Sequence, residues 1–391
     1  MRVLTLASEF PPAHGYGLGR YVADHTAALA AGGCEVAVAC NNWDANLQSG
    51  RYDREGVEVN NAPIFMPIKG YSWVADVLQS NLLLETRALK MSRRDGEFDI
   101  LQVHDWLTAS AAHCLHDLLD LPLVVTIHDT VRGRNQGELN PDEQYVASME
   151  TWICQQADAV LCNSAFIHKE LVEAYGVDEE KITVVGCGVD PQAFKSDTPP
   201  RLFRSVLGAA DVPMIIFVGR LTAIKGPQVL LEAVPEVLRV VPEARFVFAG
   251  DGQMQQSLTQ RAGQLGVAEK VRFVGHLRGT VLATLYHSAD ATIVPSLYEP
   301  FGMVALESVV CGTPIIASET GGLLEIMSKA DCALPIPPKD SSALARAIVY
   351  LLRHPDRAAE LAENGRRVAL EQYGWDRVAQ KTLSAYNRVV G

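Results

Sequence analysis

The sequence predicts an α/β protein of two doubly wound domains, each a parallel sheet covered by helices on both faces. Short apolar runs rich in Val and Ile alternate with longer amphipathic stretches from end to end, the pattern of strands buried on both faces. The alternation breaks once, at Lys195-Ser196-Asp197-Thr198-Pro199-Pro200, a polar, proline-rich stretch that reads as a linker. The 391 residues are long for one core and comfortable for two.

In the first half the strands read Val3–Ala7, Glu35–Ala39, Ile100–Val103, Leu123–Ile127, Ala159–Cys162 and Ile182–Val185, with helices at Arg20–Ala31, Leu107–Asp117 and Ala165–Ala174 between them. After the linker a second series begins: Met214–Val218, Ala244–Ala249, Val271–Val274, Ala291–Val294 and Ile315–Ala317. From about 340 onward the pattern is helical throughout. The expected division is residues 1–197, then 202–372, then a final helical segment 373–391, whose helix at Trp375–Val389 has the option of returning to the first domain. Open parallel sheets bind ligands beyond the carboxyl ends of their strands, so those loops are where chemistry is sought.

Composition narrows the class. The chain is 48% hydrophobic and 20% charged, with a net charge of −12, an acidic balance that argues against a nucleic-acid partner. No run of 18 apolar residues occurs, so no membrane-spanning segment is expected. The N-terminus MRVLTLASEF reads as a buried strand rather than a signal peptide. Eight scattered cysteines, with no C-x-x-C pair, point to a reducing cytoplasm.

Three loops carry chemistry. The segment Ser296-Leu-Tyr-Glu299-Pro-Phe301-Gly302-Met303-Val304-Ala-Leu-Glu307 leaves a strand, passes a glutamate and enters a helix at Gly302. A helix start of this kind attracts a phosphate through the N–H groups of Met303 and Val304; Glu307 lies within reach of a ribose and Glu299 of sugar hydroxyls. The bland alternative is a capped helix with two exposed glutamates. Gly219-Arg220-Leu-Thr-Ala-Ile-Lys225-Gly226 puts a planar fork and a point charge on one loop, a pair suited to a diphosphate; alone, a solvated basic loop would be the better reading. Pro11-Pro12-Ala-His14-Gly15-Tyr-Gly17-Leu18-Gly19-Arg20 follows the first strand like a Gly-x-Gly turn. The acidic residue a dinucleotide enzyme needs about twenty positions on is missing, the second strand ending in Cys40-Asn41-Asn42.

Taken together, Gly219-Arg220…Lys225-Gly226, Gly250-Asp251-Gly252, Pro295-Ser296…Glu299-Pro-Phe-Gly302…Glu307 and Gly312-Thr313-Pro314 resemble family 4 of the retaining glycosyltransferases, which have the GT-B fold, over nearly the whole chain. The resemblance implies two Rossmann-like domains facing each other across a cleft. It implies that Arg220 and Lys225 neutralise the departing diphosphate, that Glu299 holds the donor sugar and that Glu307 binds the ribose. It places Gly219, Gly250, Phe301, Gly302, Met303 and Val304 around the donor, the backbone near His276 and Leu277 at the base, and Gly17 and Leu18 over the phosphates from the other side. His104-Asp105-Trp106 and Thr126-Ile127-His128-Asp129 are similar to segments of glycogen and starch synthases, which puts Asp105 and His128 at the transferred sugar. Two departures stand out: Gly186-Cys187-Gly188-Val189-Asp190 where the family often has Pro-Asn-Gly-Val-Asp, and no lysine in the first glycine loop.

The implied activity is metal-independent transfer of a hexose to a carbohydrate or other hydroxyl, without a cofactor, with UDP-glucose ahead of ADP-glucose and GDP-mannose as donor. The rivals are an ADP-glucose-dependent glycogen-synthase-like enzyme, a sugar-nucleotide epimerase, an inactive sugar-nucleotide-binding homologue and a dehydrogenase. No Asp-x-Asp pair is present to hold a metal on the diphosphate, and the His113/His116 pair lacks further ligands nearby. The polar stretch from Asp129 through Arg132, Arg134 and Glu138 is expected to line the acceptor side. The helix Trp73–Met91, ending in Lys90, Arg93 and Arg94, reads as packed on the first sheet, its alternative being contact with an anionic membrane.

Overall fold

The computed structural model describes residues 1–12, 17–42, 50–63 and 73–391. The chain divides into two compact units, Met1–Gly188 with Trp375–Gly391, and Val189–Gly374.

The first unit holds β1 (Arg2–Ala7), β2 (Glu35–Asn42), β3 (Gly50–Arg54), β4 (Val57–Pro63), β5 (Ile100–His104), β6 (Leu123–Ile127), β7 (Ala159–Cys162) and β8 (Ile182–Val184), in the order β3-β4-β2-β1-β5-β6-β7-β8. All neighbours are parallel except β3 and β4. The second unit holds β9 (Met214–Val218), β10 (Arg245–Ala249), β11 (Val271–Gly275), β12 (Ala291–Val294), β13 (Ile315–Ser318) and β14 (Ala333–Ile336), parallel throughout in the order β11-β10-β9-β12-β13-β14. Strand order therefore reverses between β1 and β5 in one unit and between β9 and β12 in the other. Ligands of doubly wound sheets bind at such reversals.

Each core follows from the sequence pattern. In the second unit Phe217, Phe246 and Phe248 point from β9 and β10 into a cluster with Leu230, Val234 and Val237 of the Pro227–Val240 helix. In the first, Val3, Val36 and Val38 meet Val378, Ala379 and Tyr386 of the final helix, Trp375–Val390. Each large apolar side chain so buried contributes roughly 1.5–3 kcal/mol. Polar contacts fix that helix in place: Tyr386 OH donates to Gln102 Oε1 at 2.8 Å, and His25 Nε2 lies 3.0 Å from Thr382 Oγ1.

The structure departs from the sequence reading in three places. The β3–β4 hairpin was not expected; it turns at Glu55 and Gly56, both with positive φ (53° and 79°), the two-residue turn that suits antiparallel strands, and its strands are too polar to signal themselves. The edge strand β14, Ala-Leu-Pro-Ile, hides behind its proline. The unit boundary falls at Gly188/Val189 rather than in the linker at 195–202. Residues 191–194 belong with the second unit because Phe194 packs edge-on against Tyr286 (6.2 Å between centroids) and its carbonyl lies 2.9 Å from His287 Nε2.

Seven cysteines are buried free thiols and Cys114 is exposed. The helix Trp73–Asp95 packs on the first sheet, with Asn41 Nδ2 donating to the Ser80 carbonyl at 3.1 Å. Among the described residues no helix is long and apolar enough to cross a membrane.

Candidate functional site

In the second unit the reversal between β9 and β12 releases two loops side by side. The β9 loop runs Gly219 to Gly226, and the β12 loop runs Pro295 to Gly302 into the helix Met303–Val310. They are tied together by the Leu297 N–H, which donates to the Ile224 carbonyl at 2.7 Å. Gly226 has φ 73°, and a Cβ there would stand 2.0 Å from the Pro295 carbonyl oxygen. Gly321 closes the other side: φ is 52° and a Cβ would stand 2.0 Å from the Glu299 carbonyl oxygen. No residue with a side chain fits either position without backbone movement.

This clamp holds Glu299. Lys225 Nζ lies 2.8 Å from each of its carboxylate oxygens, and Ser296 Oγ donates to Oε2 at 2.9 Å. Glu299 as a whole is 8% exposed. Glu307, 7% exposed, takes a hydrogen bond from the Tyr286 phenol to Oε2 at 2.8 Å. The reading of two exposed glutamates on a capped helix is thereby overturned: both carboxylates are buried and each is held by a donor. Arg220 is exposed and forms no ion pair among the described residues. The helix beyond Gly302 starts at Met303, so the N–H groups of Met303 and Val304 have no acceptor within it.

The glycines expected around the donor line up across neighbouring strand ends. Gly219 N donates to the Ala249 carbonyl at 3.0 Å and Gly250 N to the Gly275 carbonyl at 2.8 Å. His276 and Leu277 follow directly on β11, at the sheet edge, two strands from the reversal. Phe301 is buried edge-on against Tyr373, 5.7 Å between centroids, so its side chain supports the loop from beneath.

In the first unit the reversal lies between β1 and β5. Of the loop after β1, His14 and Gly15 lie outside the described residues; Gly17 opens the helix Gly17–Ala31 exposed, and Leu18 packs on the core. One turn further on, the ring of Tyr21 meets His128 at 4.4 Å, edge to face. Asp105 and His128, expected together, are together: the His128 N–H donates to Asp105 Oδ1 at 2.8 Å. Asp105 holds a φ of 54° with ψ −178°, strained for a residue with a side chain. His104 Nδ1 lies 3.1 Å from His128 Nε2, the rings stacked, and Asn163 Nδ2 donates to the His128 carbonyl at 2.9 Å.

Burial governs protonation here. It pushes His128 down to about 3 and His25 down to about 4, and drives His104 well below the ordinary histidine range. The same burial, followed by the charge of Asp129, raises the Asp105 carboxyl well above the usual range, against the His128 N–H that favours its ionised form. Just behind, Glu150 accepts from the Val131 N–H at 3.1 Å and from the Tyr175 phenol at 2.5 Å, and burial lifts it to about 7. Asp129 pairs with Arg134 at 3.3 Å. The His113/His116 pair makes other contacts: His116 Nδ1 lies 2.6 Å from the Leu121 carbonyl and His113 packs on Trp152.

Sequence reasoning named Lys225, Glu299, Glu307, Asp105 and His128 but gave no role to Ser296, Tyr286, His104, Tyr21 or Glu150. Ser296 and His104 stood inside quoted segments. Tyr286 and Glu150 lie on helices with nothing in their neighbours to mark them.

The two halves match different family models, "Glycosyltransferase Family 4" over residues 16–193 and "Glycosyl transferases group 1" over residues 201–368. A glycogen synthase of Mycobacterium tuberculosis is 32% identical over 397 residues, covering 99% of this chain and 94% of its own. Among solved structures, sucrose-phosphate synthase from Thermosynechococcus elongatus superposes with a TM-score of 0.83 at 23% identity, covering 99% of this chain and 98% of that one. The Anabaena protein HepE, in complex with UDP-glucose, superposes at 0.78 and 18% identity, covering 99% of this chain and 100% of that one. With its two parallel-sheet units and these likenesses, the chain belongs to family 4 of the glycosyltransferases, has the GT-B fold and is a hexosyltransferase.

Proposed function

We propose that this chain transfers glucose from UDP-glucose to a hydroxyl of a carbohydrate or similar acceptor, with retention at the anomeric carbon and without a metal ion, in the cytoplasm. The observation that carries the reading is the pair of half-buried Lys225 and buried Glu299 at the β9/β12 reversal, beside exposed Arg220 and the N-terminus at Met303. The pair is a ready-made receptor for the two ends of a sugar diphosphate. Lys225 and Arg220 meet the diphosphate charge, the helix N-terminus adds its partial charge, and Glu299 accepts from the sugar hydroxyls. HepE, which shares the fold, was crystallised with UDP-glucose, which supports uridine as the base.

In the reaction the bond from the anomeric carbon to the phosphate oxygen breaks and the diphosphate leaves with its electron pair. The acceptor oxygen bonds to the same face of the sugar, and its proton passes to the leaving phosphate. No side chain acts as nucleophile. The protein contributes orientation and stabilisation of the departing charge, with Asp105 and His128 as hydrogen-bonding groups at the sugar. A second reading, ADP-glucose as donor, is favoured by the relationship to a glycogen synthase over 99% of the chain.

Calorimetric titration of UDP, ADP and GDP with a chelator present tests both. Micromolar binding of UDP, lost in Arg220→Ala plus Lys225→Ala, supports the proposal; tighter ADP binding transfers it to the second reading. Binding of none by folded protein would sink both. Nuclear magnetic resonance of the product's anomeric proton then decides retention, and an inverted product removes that part of the mechanism.

A further inference from the structure

We propose that Tyr286 is a positioning residue for the nucleotide ribose, holding the Glu307 carboxylate in the orientation that accepts from ribose hydroxyls. The proposal rests on the donor-site reading above, which puts Glu307 at the ribose.

Tyr286 sits near the end of the helix Gly279–Ser288, its side chain fully buried. Its phenol donates to Glu307 Oε2 at 2.8 Å, and its own position is fixed twice. The ring meets Phe194 edge-on, and the backbone carbonyl accepts from Thr313 Oγ1 at 2.6 Å. The helix bearing Glu307 is anchored one residue on, where Ser308 Oγ donates to Thr292 Oγ1 at 2.7 Å. A freely rotating glutamate would lose side-chain entropy on meeting a ligand; here the rotamer is already selected.

The chemistry of the partner is what turns a packing contact into a functional one. Glu299 is held by a cation, Lys225, which competes with any ligand for its charge. Glu307 is held by a neutral phenol, which satisfies one acceptor site and leaves the carboxylate's charge in place. A carboxylate offers about four acceptor sites, so the bond from Tyr286 is compatible with two adjacent hydroxyls on the other side. A buried, oriented anion of this kind selects vicinal diols, and in a nucleotide the ribose 2′- and 3′-hydroxyls supply one.

The test is calorimetry with UDP, ADP or GDP, whichever binds, against the same nucleotide in its 2′,3′-dideoxy form. Wild type is expected to prefer the ribo form by about tenfold or more, the scale of hydrogen bonds to a charged group. Tyr286→Phe removes one oxygen and no ring; it should cut that preference to about threefold or less, leave dideoxy affinity unchanged and keep its unfolding temperature within a few degrees. Glu307→Gln should do the same, and the combined variant should lose no more than Glu307→Gln alone. If Tyr286→Phe weakens both forms equally, Tyr286 only packs and the proposal falls. It falls equally if Glu307→Gln abolishes the preference while Tyr286→Phe keeps it. A Glu307→Gln variant with an unchanged preference removes Glu307 from the ribose and overturns proposal and donor reading together. Should Tyr286→Phe not fold, Tyr286→His keeps a ring donor at the position; retained preference supports the proposal, and equal loss for both forms overturns it.

Discussion

Each unit reverses its strand order once, and the two differ in what they put at the reversal. In the second, the β9 and β12 loops present charge: a half-buried lysine on a buried carboxylate, an exposed arginine and a helix N-terminus. In the first, the ends of β5 and β6 present groups whose charged forms burial disfavours, with His104 and His128 pushed down and the Asp105 carboxyl raised. A doubly wound sheet fixes where chemistry happens. The side chains that follow each strand decide which chemistry it is, an electrostatic clamp in one unit and a hydrogen-bonding surface in the other.

If charge is the business of the second unit, removing it should cost the most. Lys225→Ala and Glu299→Gln are each expected to lower turnover by about a hundredfold or more, the scale of deleting one electrostatic contact to a developing charge. Both variants should keep their unfolding temperatures within a few degrees, because the loop is clamped by its glycines and backbone hydrogen bonds rather than by the ion pair alone. Near wild-type rates in both variants would sink the assignment of the clamp.

The next effect belongs to the first unit and is read as stability against pH. His25 titrates near 6.5 when unfolded and is pushed down to about 4 when folded. Its burial therefore contributes stability that is complete above pH 6.5 and lost as pH falls toward 4, on the order of 3 kcal/mol. Glu150 has the opposite sign: raised from 4.5 to about 7, it contributes stability present below pH 4.5 and lost as pH rises through 7, of similar size. Calorimetric scans of His25→Gln and Glu150→Gln against wild type should thus give difference curves that slope in opposite directions between pH 4.5 and 7. Parallel difference curves would remove the opposition between these two groups.

A smaller effect follows for the reaction itself. With the His128 ring pushed down to about 3, its titration lies far below neutrality, and the pH profile of kcat should show no histidine limb between pH 5 and 8. A limb near pH 6.5 that disappears in His128→Gln would mean that the ring is charged during turnover.

The sequence carried most of this contrast, for reasons tied to particular residues. Strands buried on both faces, such as Leu123–Ile127 and Met214–Val218, announce themselves by unbroken apolar runs. The β3–β4 hairpin and β14 lie at sheet edges, where alternation with polar residues or a proline erases that signal. Catalytic candidates were legible where a strand end, a glycine and a charged residue fall close together, as at Gly219-Arg220 and Glu299…Gly302. The residues that hold those side chains come from elsewhere in the chain, Tyr286 lying 21 positions before Glu307 and Glu150 lying 19 after Val131. Only the tertiary fold brings such partners together.

Ser296 is the exception that gives the mildest and most discriminating test of the clamp. It lies three residues before Glu299 and reaches the same carboxylate as Lys225, donating to Oε2 at 2.9 Å. A hydroxyl bond to a charged group contributes about 1.5–3 kcal/mol when no substitute exists, but here Lys225 still holds both oxygens. Ser296→Ala should therefore leave nucleotide affinity unchanged and lower kcat by about three- to tenfold, since the carboxylate keeps its charge and loses only part of its orientation. A fall in nucleotide affinity would place Ser296 at the diphosphate instead. An effect as large as that of Glu299→Gln would mean that the serine, rather than the lysine, fixes the carboxylate, and that Lys225 is released from Glu299 when the donor binds.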